Sequence, residues 1–127
     1  MSFEAKFDIK FFGWAYNPGM NNDKIWGWVE VEGKLYNFWG RRGDLDDKKR
    51  LKFKRHDSAW GTYDLKDLTY KKTNPGGNKT PYRAISTTKD SNGDYPEIEK
   101  VYPGFGRHFK QQLMFARLTG TVRGEEN

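Results

Sequence analysis

The sequence predicts an α+β fold, mainly antiparallel β-sheet, with one short helix and a C-terminal helix packed on it. Three observations predict it. Residues 3–12 alternate, with Phe3, Ala5, Phe7, Ile9 and Phe11 pointing one way and Glu4, Lys6, Asp8 and Lys10 the other. That is the period of a half-buried strand. Residues 25–32 and 35–41 are aromatic-rich runs separated by a turn at Gly33-Lys34, which marks a hairpin. Near the C-terminus Phe105, Phe109, Gln112, Leu113 and Ala116 recur at helical spacing, with Arg107, Lys110 and Arg117 elsewhere on the wheel.

The elements between these follow from local chemistry. Residues 17–23 (NPGMNND) read as a turn and residues 42–49 as a polar loop. Residues 50–55 alternate again, with Leu51 and Phe53 inward. Thr62-Tyr63-Asp64 leads into a short helix near 64–72, which Asn74-Pro75-Gly76-Gly77 breaks. Residues 81–88 suit a further strand, and 89–96 are turn-forming throughout. Residues 1–119 thus read as one domain with a C-terminal helical extension, and residues 120–127 as a flexible tail.

Composition narrows the function classes. Leu, Ile, Val and Phe supply only 24 of the 127 residues, a fraction that usually flags disorder. Nine Phe, seven Tyr and five Trp answer the flag, because each ring can bury roughly 150–250 Å². An aromatic core is expected. No apolar run has membrane-span length, and MSFEAKFDIK lacks the form of a signal peptide, which predicts a cytoplasmic protein without membrane attachment. The absence of Cys excludes disulfides, thiol catalysis and Cys-based zinc sites. The two histidines, His56 and His108, are too few to build a metal site, so no cofactor is expected. The net charge of +6 favours an anionic partner.

The densest signal is residues 24–43, KIWGWVEVEGKLYNFWGRRG. An Asn22-Asp23-Lys24 entry precedes an aromatic strand from Trp26 to Val31. Gly33 turns the chain, and Leu35-Tyr36 leads to Trp39-Gly40-Arg41 and Gly43. This stretch resembles the WGR domain, a small β-rich module of DNA-damage-activated poly(ADP-ribose) polymerases and various bacterial proteins. Residues 65–72, Gly76-Gly77 and Pro81-Tyr82-Arg83 could fill the family's following helix, turn and short strand. The helix is shorter than the family's, and residues 44–61 and 90–127 have no counterpart. The resemblance covers about half the chain. It implies a WGR-like fold, with Trp39 stacking on a sugar at a DNA end and Arg41 gripping phosphate. Arg suits that grip because its planar fork matches phosphate oxygens. The residue types leave a second reading open, with Trp39 in the core and Arg41 in a surface pair.

Charge points to the same region. Arg41, Arg42, Lys48, Lys49, Arg50, Lys52, Lys54 and Arg55 face only Asp44, Asp46 and Asp47 within fifteen residues. On one strand face, Arg50, Lys52 and Lys54 would form a ladder spaced by about 6.5–7 Å, which could follow a phosphate backbone. An edge strand armed against aggregation would read the same way. Trp26 and Trp28 alternate with aliphatic residues. They are exposed platforms if only the aliphatic face is covered, and core if both faces are.

Three look-alike motifs fail. Gly76-Gly77-Asn78-Lys79-Thr80 lacks the Gly before Lys that a phosphate loop requires. Asp90-Ser91-Asn92-Gly93-Asp94 has Val101 where a calcium loop needs a bidentate Glu. Asp44, Asp46 and Asp47 read as charge balance for the adjacent bases. No nucleophile–base pair or paired carboxylates stand out, so no enzymatic role is expected. The expected function is nucleic-acid binding, DNA favoured, through Trp39, Arg41, Arg42, Lys48, Lys49, Arg50, Lys52, Lys54 and Arg55. The alternative is a protein-interaction module that binds and regulates a nucleic-acid-processing enzyme.

Overall fold

The computed structural model describes residues 6–43, 50–56 and 60–125. Their order is β1 (Phe7–Asn17), β2 (Asn22–Val31), β3 (Lys34–Arg41), β4 (Lys52–His56), α1 (Gly61–Thr73), β5 (Arg83–Ile85), α2 (Pro96–Val101) and α3 (Phe105–Leu118), with a single 3₁₀ turn at Pro18–Met20. The sheet runs β4-β3-β2-β1-β5 with antiparallel neighbours throughout. The expected α+β architecture, mainly antiparallel sheet with the C-terminal helix laid on it, is what the chain forms.

The largest departure lies in β1. Its register against β2 shifts between Ile9 and Phe11, a β-bulge that reverses the side-chain phase. Phe12 therefore joins Ile9 in one core, and Phe11 turns to the opposite face. Simple alternation would have kept Phe11 beside Ile9. Phe3 and Ala5, expected on the same strand face, lie outside the described residues.

The β2–β3 turn sits one residue earlier than expected, at Glu32-Gly33, with φ of 53° and 78°. Two consecutive left-handed residues give the type I′ turn whose twist suits a hairpin. Helix α1 starts earlier than residue 64. A Cβ at Gly61 would stand 3.0 Å from Leu35 Cδ1 and 3.2 Å from His56 Cβ, so only glycine lets the helix begin this close to the sheet. The strand expected over 81–88 shrinks to Arg83–Ile85, and α2 forms where turn chemistry gives way to Pro96 at the first helical position.

The sheet is covered on both sides. On one face Ile9, Phe12, Val29, Phe38 and Phe53 meet Phe105, Phe109, Leu113 and Ala116 of α3. Phe109 is the hub: its ring centroid lies 5.2 Å from that of Phe38 and 5.7 Å from that of Phe53, both edge-on. Burial of each such ring stabilises by about 1.5–3 kcal/mol. On the other face α1 lays Leu65 over Trp26, Trp28 and Leu35, with Phe11, Trp39, Leu68 and Tyr82 at the margin. Trp26 and Trp28 are consequently core.

The tail is not loose through Glu125. Val122 is buried, Arg123 N donates to Phe53 O (3.0 Å), and Arg55 N donates to Arg123 O (2.7 Å). This parallel bridge lies along the outer edge of β4. The Tyr36 hydroxyl donates to Glu125, and Arg55 and Arg117 flank the same carboxylate. Residues 126–127 lie outside the described residues.

Candidate nucleic-acid interface

The hairpin register builds the site. Trp39 on β3 pairs with Trp26 on β2 and with Lys52 on β4. Two residues along, Lys24 pairs directly with Arg41. Like charges placed opposite each other across two strands destabilise a sheet. No lining residue is acidic, and Asp23, next to Lys24, acts on Arg41 only after its main partner Arg42. Lys24, Trp26, Asn37, Trp39, Gly40, Arg41, Leu68, Lys72 and Tyr82 enclose an open groove of about 480 Å³ between the sheet and the C-terminal half of α1. Those nine residues carry three cations, three aromatic rings and no carboxylate.

Each wall has a local cause. The turn after α1 is tied back by Tyr82 N donating to Lys72 O (3.0 Å) and by Asn22 Nδ2 donating to Thr80 Oγ1 (3.0 Å). Asn37, buried in the floor, donates through Nδ2 to Gly27 O (2.8 Å). The Lys72 ammonium lies 6.0 Å from the Trp26 ring centroid and 5.9 Å from that of Tyr82. Burial, then the charges of Lys24 and Lys79, hold its pKa below the usual lysine range. Burial also pushes the Tyr82 hydroxyl up to about 12, so it stays protonated as a neutral donor and acceptor.

The residues singled out from sequence separate into groups. Trp39 and Arg41 line the groove, Trp39 half-buried and Arg41 exposed with Nη1 donating to Asn21 O (3.2 Å). Lys52 and Lys54 are exposed on β4, at register positions opposite Trp39 and Asn37. Arg50 does not join them. It precedes β4, and its guanidinium stacks 3.5 Å from the Phe115 ring of α3, so the three-cation ladder is a pair. Arg55 alternates to the other face and meets Glu125 at 3.7 Å. Arg42 is a structural clamp: Nε and Nη2 donate to Asp23 Oδ1 and Oδ2 (2.8 and 2.9 Å), Nη1 donates to Val101 O (2.9 Å), and its fork covers Trp14. Lys48 and Lys49 lie outside the described residues.

Gly40 lines the groove and also serves the core. A Cβ there would stand 2.9 Å from Leu51 Cδ2, so the glycine makes room for the core. The sequence reading missed Lys24, Lys72, Tyr82 and Arg123, the last with its guanidinium 5.4 Å from the Trp39 ring centroid. Lys24, Lys72 and Tyr82 did fall within the stretches that resemble the WGR domain, but nothing in the sequence marked them as groove residues. Another cavity, about 660 Å³ near Phe7, is ringed by Asp90, Asp94 and Glu99 as well as Arg107 and Lys110, so it favours no anion. Asp90 Oδ1 accepts from the Asn92 and Asp94 amides, spending the calcium-like motif on its own turn. Among the described residues no acidic or histidine cluster could hold a metal ion, and no helix is long and apolar enough to cross a membrane. No family model, curated protein or solved structure matches the chain.

Proposed function

We propose that this protein is a small nucleic-acid-binding module, DNA favoured, that takes a phosphodiester strand into the groove between β3 and α1. The observation that carries the reading is the Lys24–Arg41 cross-strand pair facing Lys72 beside the rings of Trp39 and Tyr82, in a groove whose lining holds no carboxylate. Violations of local pairing rules concentrate where a ligand completes the charge balance. Cations would hold phosphates while the rings accept a sugar or base face, the arrangement that suits single strands and exposed ends. The Trp-Gly-Arg resemblance supports the same assignment for Trp39 and Arg41, and Lys52 and Lys54 extend the basic surface. The test is fluorescence anisotropy with single-stranded, blunt and nicked DNA and with single-stranded RNA at two salt concentrations. Affinity should fall with a log–log slope of roughly −0.7 to −0.9 per phosphate contact. Absence of binding at low salt would overturn the reading.

One feature favours the second reading, a protein-interaction module acting on a nucleic-acid enzyme. Trp60, just before α1, and Tyr63 and Tyr70 on it are exposed while Leu65 is buried against the sheet. Exposed Trp and Tyr are typical anchors of protein interfaces. Retention of an enzyme partner by wild type, lost on Tyr63→Ser with Tyr70→Ser, would support it.

A further inference from the structure

Lys72 differs from every other described lysine in its surroundings. Its neighbour on α1, Lys71, is exposed and bridges Asp67 at 3.0 Å. Lys72 has no ion pair among the described residues; its amine sits against the Trp26 and Tyr82 rings, inside a groove whose lining holds no carboxylate. Lys24 and Lys79 add like charge around it. Desolvation combined with neighbouring cations eases the loss of a lysine's proton, and the free amine is the form nucleophilic toward carbonyls. The same groove holds Arg41 and Lys24, which remain available for an anion, and its volume is that of a small-ligand site.

We propose that Lys72 is a covalent-capture residue whose ε-amine condenses with an aldehyde carried on a phosphate ester. This rests on the nucleic-acid reading, under which the aldehyde is the ring-opened deoxyribose of an abasic position. The amine lone pair attacks the carbonyl carbon and the carbonyl π pair moves to oxygen, giving a carbinolamine. Proton transfer and loss of water then leave an imine. Amine plus aldehyde becomes imine plus water, with no oxidation or reduction. Arg41 and Lys24 hold the flanking phosphates, and Trp39 and Tyr82 offer apolar walls to a sugar that has no base of its own. Lys72 acts here as a stoichiometric trap, and the step needs no further catalyst.

The test uses the full chain with a single-stranded oligonucleotide bearing one abasic site, and with a matched strand carrying the tetrahydrofuran analogue, which has no aldehyde. Borohydride fixes any imine as a secondary amine, and peptide mass spectrometry locates it. A parallel arm uses pyridoxal phosphate, a free phosphorylated aldehyde. The expected result is an adduct on Lys72 with the abasic strand alone. Lys72→Arg should reduce the adduct about tenfold, because a guanidinium forms no imine, with anisotropy on the tetrahydrofuran strand measured alongside so that adducts are compared at equal strand occupancy. Lys71→Arg should change neither. Adducts spread over other lysines and unaffected by Lys72→Arg overturn the proposal, as does tight binding of the abasic strand with no adduct. Selective labelling of Lys72 by pyridoxal phosphate without strand binding overturns the nucleic-acid reading and assigns the amine to a small phosphorylated aldehyde. Failure of both aldehydes overturns the amine's role altogether.

Discussion

Arg42 holds both oxygens of Asp23 through Nε and Nη2 at 2.8 and 2.9 Å, whereas Arg41, one residue earlier, makes a single 3.2 Å contact to Asn21 O. Adjacent arginines on one strand end thus divide between holding the fold and facing the groove. Arg42→Ala removes a bidentate clamp, a bond to Val101 O and a stacking partner of Trp14. Stability should fall by about 1.5–3 kcal/mol, the usual range for charged hydrogen bonds. Arg41→Ala should change the urea midpoint little. Equal midpoints for the two variants would show that the Asp23 clamp is not structural.

Arg41→Lys and Trp39→Ala test the groove itself. The first keeps charge and loses the planar fork, so affinity for DNA should drop several-fold with melting unchanged. Trp39 is half-buried under Arg123 and beside Trp26, so its loss should register twice. We expect about 1–3 kcal/mol of binding and about 1–2 kcal/mol of stability, the latter for a half-buried ring. Full affinity in Trp39→Ala would remove the ring from the contact surface.

The basic strand gives a prediction in salt. Lys52 and Lys54 are exposed at register positions opposite groove-side residues, while Arg50 stacks on Phe115. Changing both lysines to Ala should flatten the salt slope by about two phosphate contacts, uniformly across sequences. Arg50→Ala should leave the slope nearly unchanged and reduce stability instead. A larger slope change from Arg50 than from the lysine pair would reverse this division.

Two glycines contrast in what surrounds them. A Cβ at Gly27 would lie 2.3 Å from Phe11 O and 2.5 Å from Phe38 Cζ, while at Gly40 it would meet the end of Leu51 at 2.9 Å. A side-chain methyl can rotate aside and a paired strand cannot. Gly27→Ala should therefore cost more than Gly40→Ala, which should fall in the range of about 1–3 kcal/mol typical of overpacking. Circular dichroism melts of the two variants compare them directly.

The sheet, the hairpin and α3 were legible because their patterns are local. Phe105, Phe109, Leu113 and Ala116 declare one helix face without reference to anything distant, and they are what α3 buries. The bulge in β1 was not legible, since both phases of Phe11-Phe12 place a ring inward and the choice depends on which sheet face needs it. The site was half legible for a related reason. Trp39 and Arg41 stood out as a motif, but Lys24, Lys72 and Tyr82 reach the groove only through strand register and the return of the chain after α1. Charge counting likewise could not tell Arg42 from Arg41, because their difference lies in alternation against Asp23.

His56 predicts a pH dependence of stability. It ends β4 opposite Leu35, its Nε2 is buried without a hydrogen-bond partner among the described residues, and the start of α1 packs against it. Burial, then the charge of Lys54, depresses its pKa, with Asp64 opposing weakly. An unfolded histidine titrates near about 6.5, so between that value and the lower folded one the unfolded chain holds the extra proton. Stability should accordingly be full above about pH 6.5, decline as pH falls toward the folded value, and level off below it. Asp23, held below the usual carboxylate range by Arg42, loses its contribution only at far lower pH, so the two windows separate. Urea midpoints measured from about pH 5 to 7.5 should slope in wild type and flatten in His56→Gln. Lys54→Ala should shrink the slope without abolishing it, because burial outweighs the charge. A slope that persists unchanged in His56→Gln would move the titrating group elsewhere.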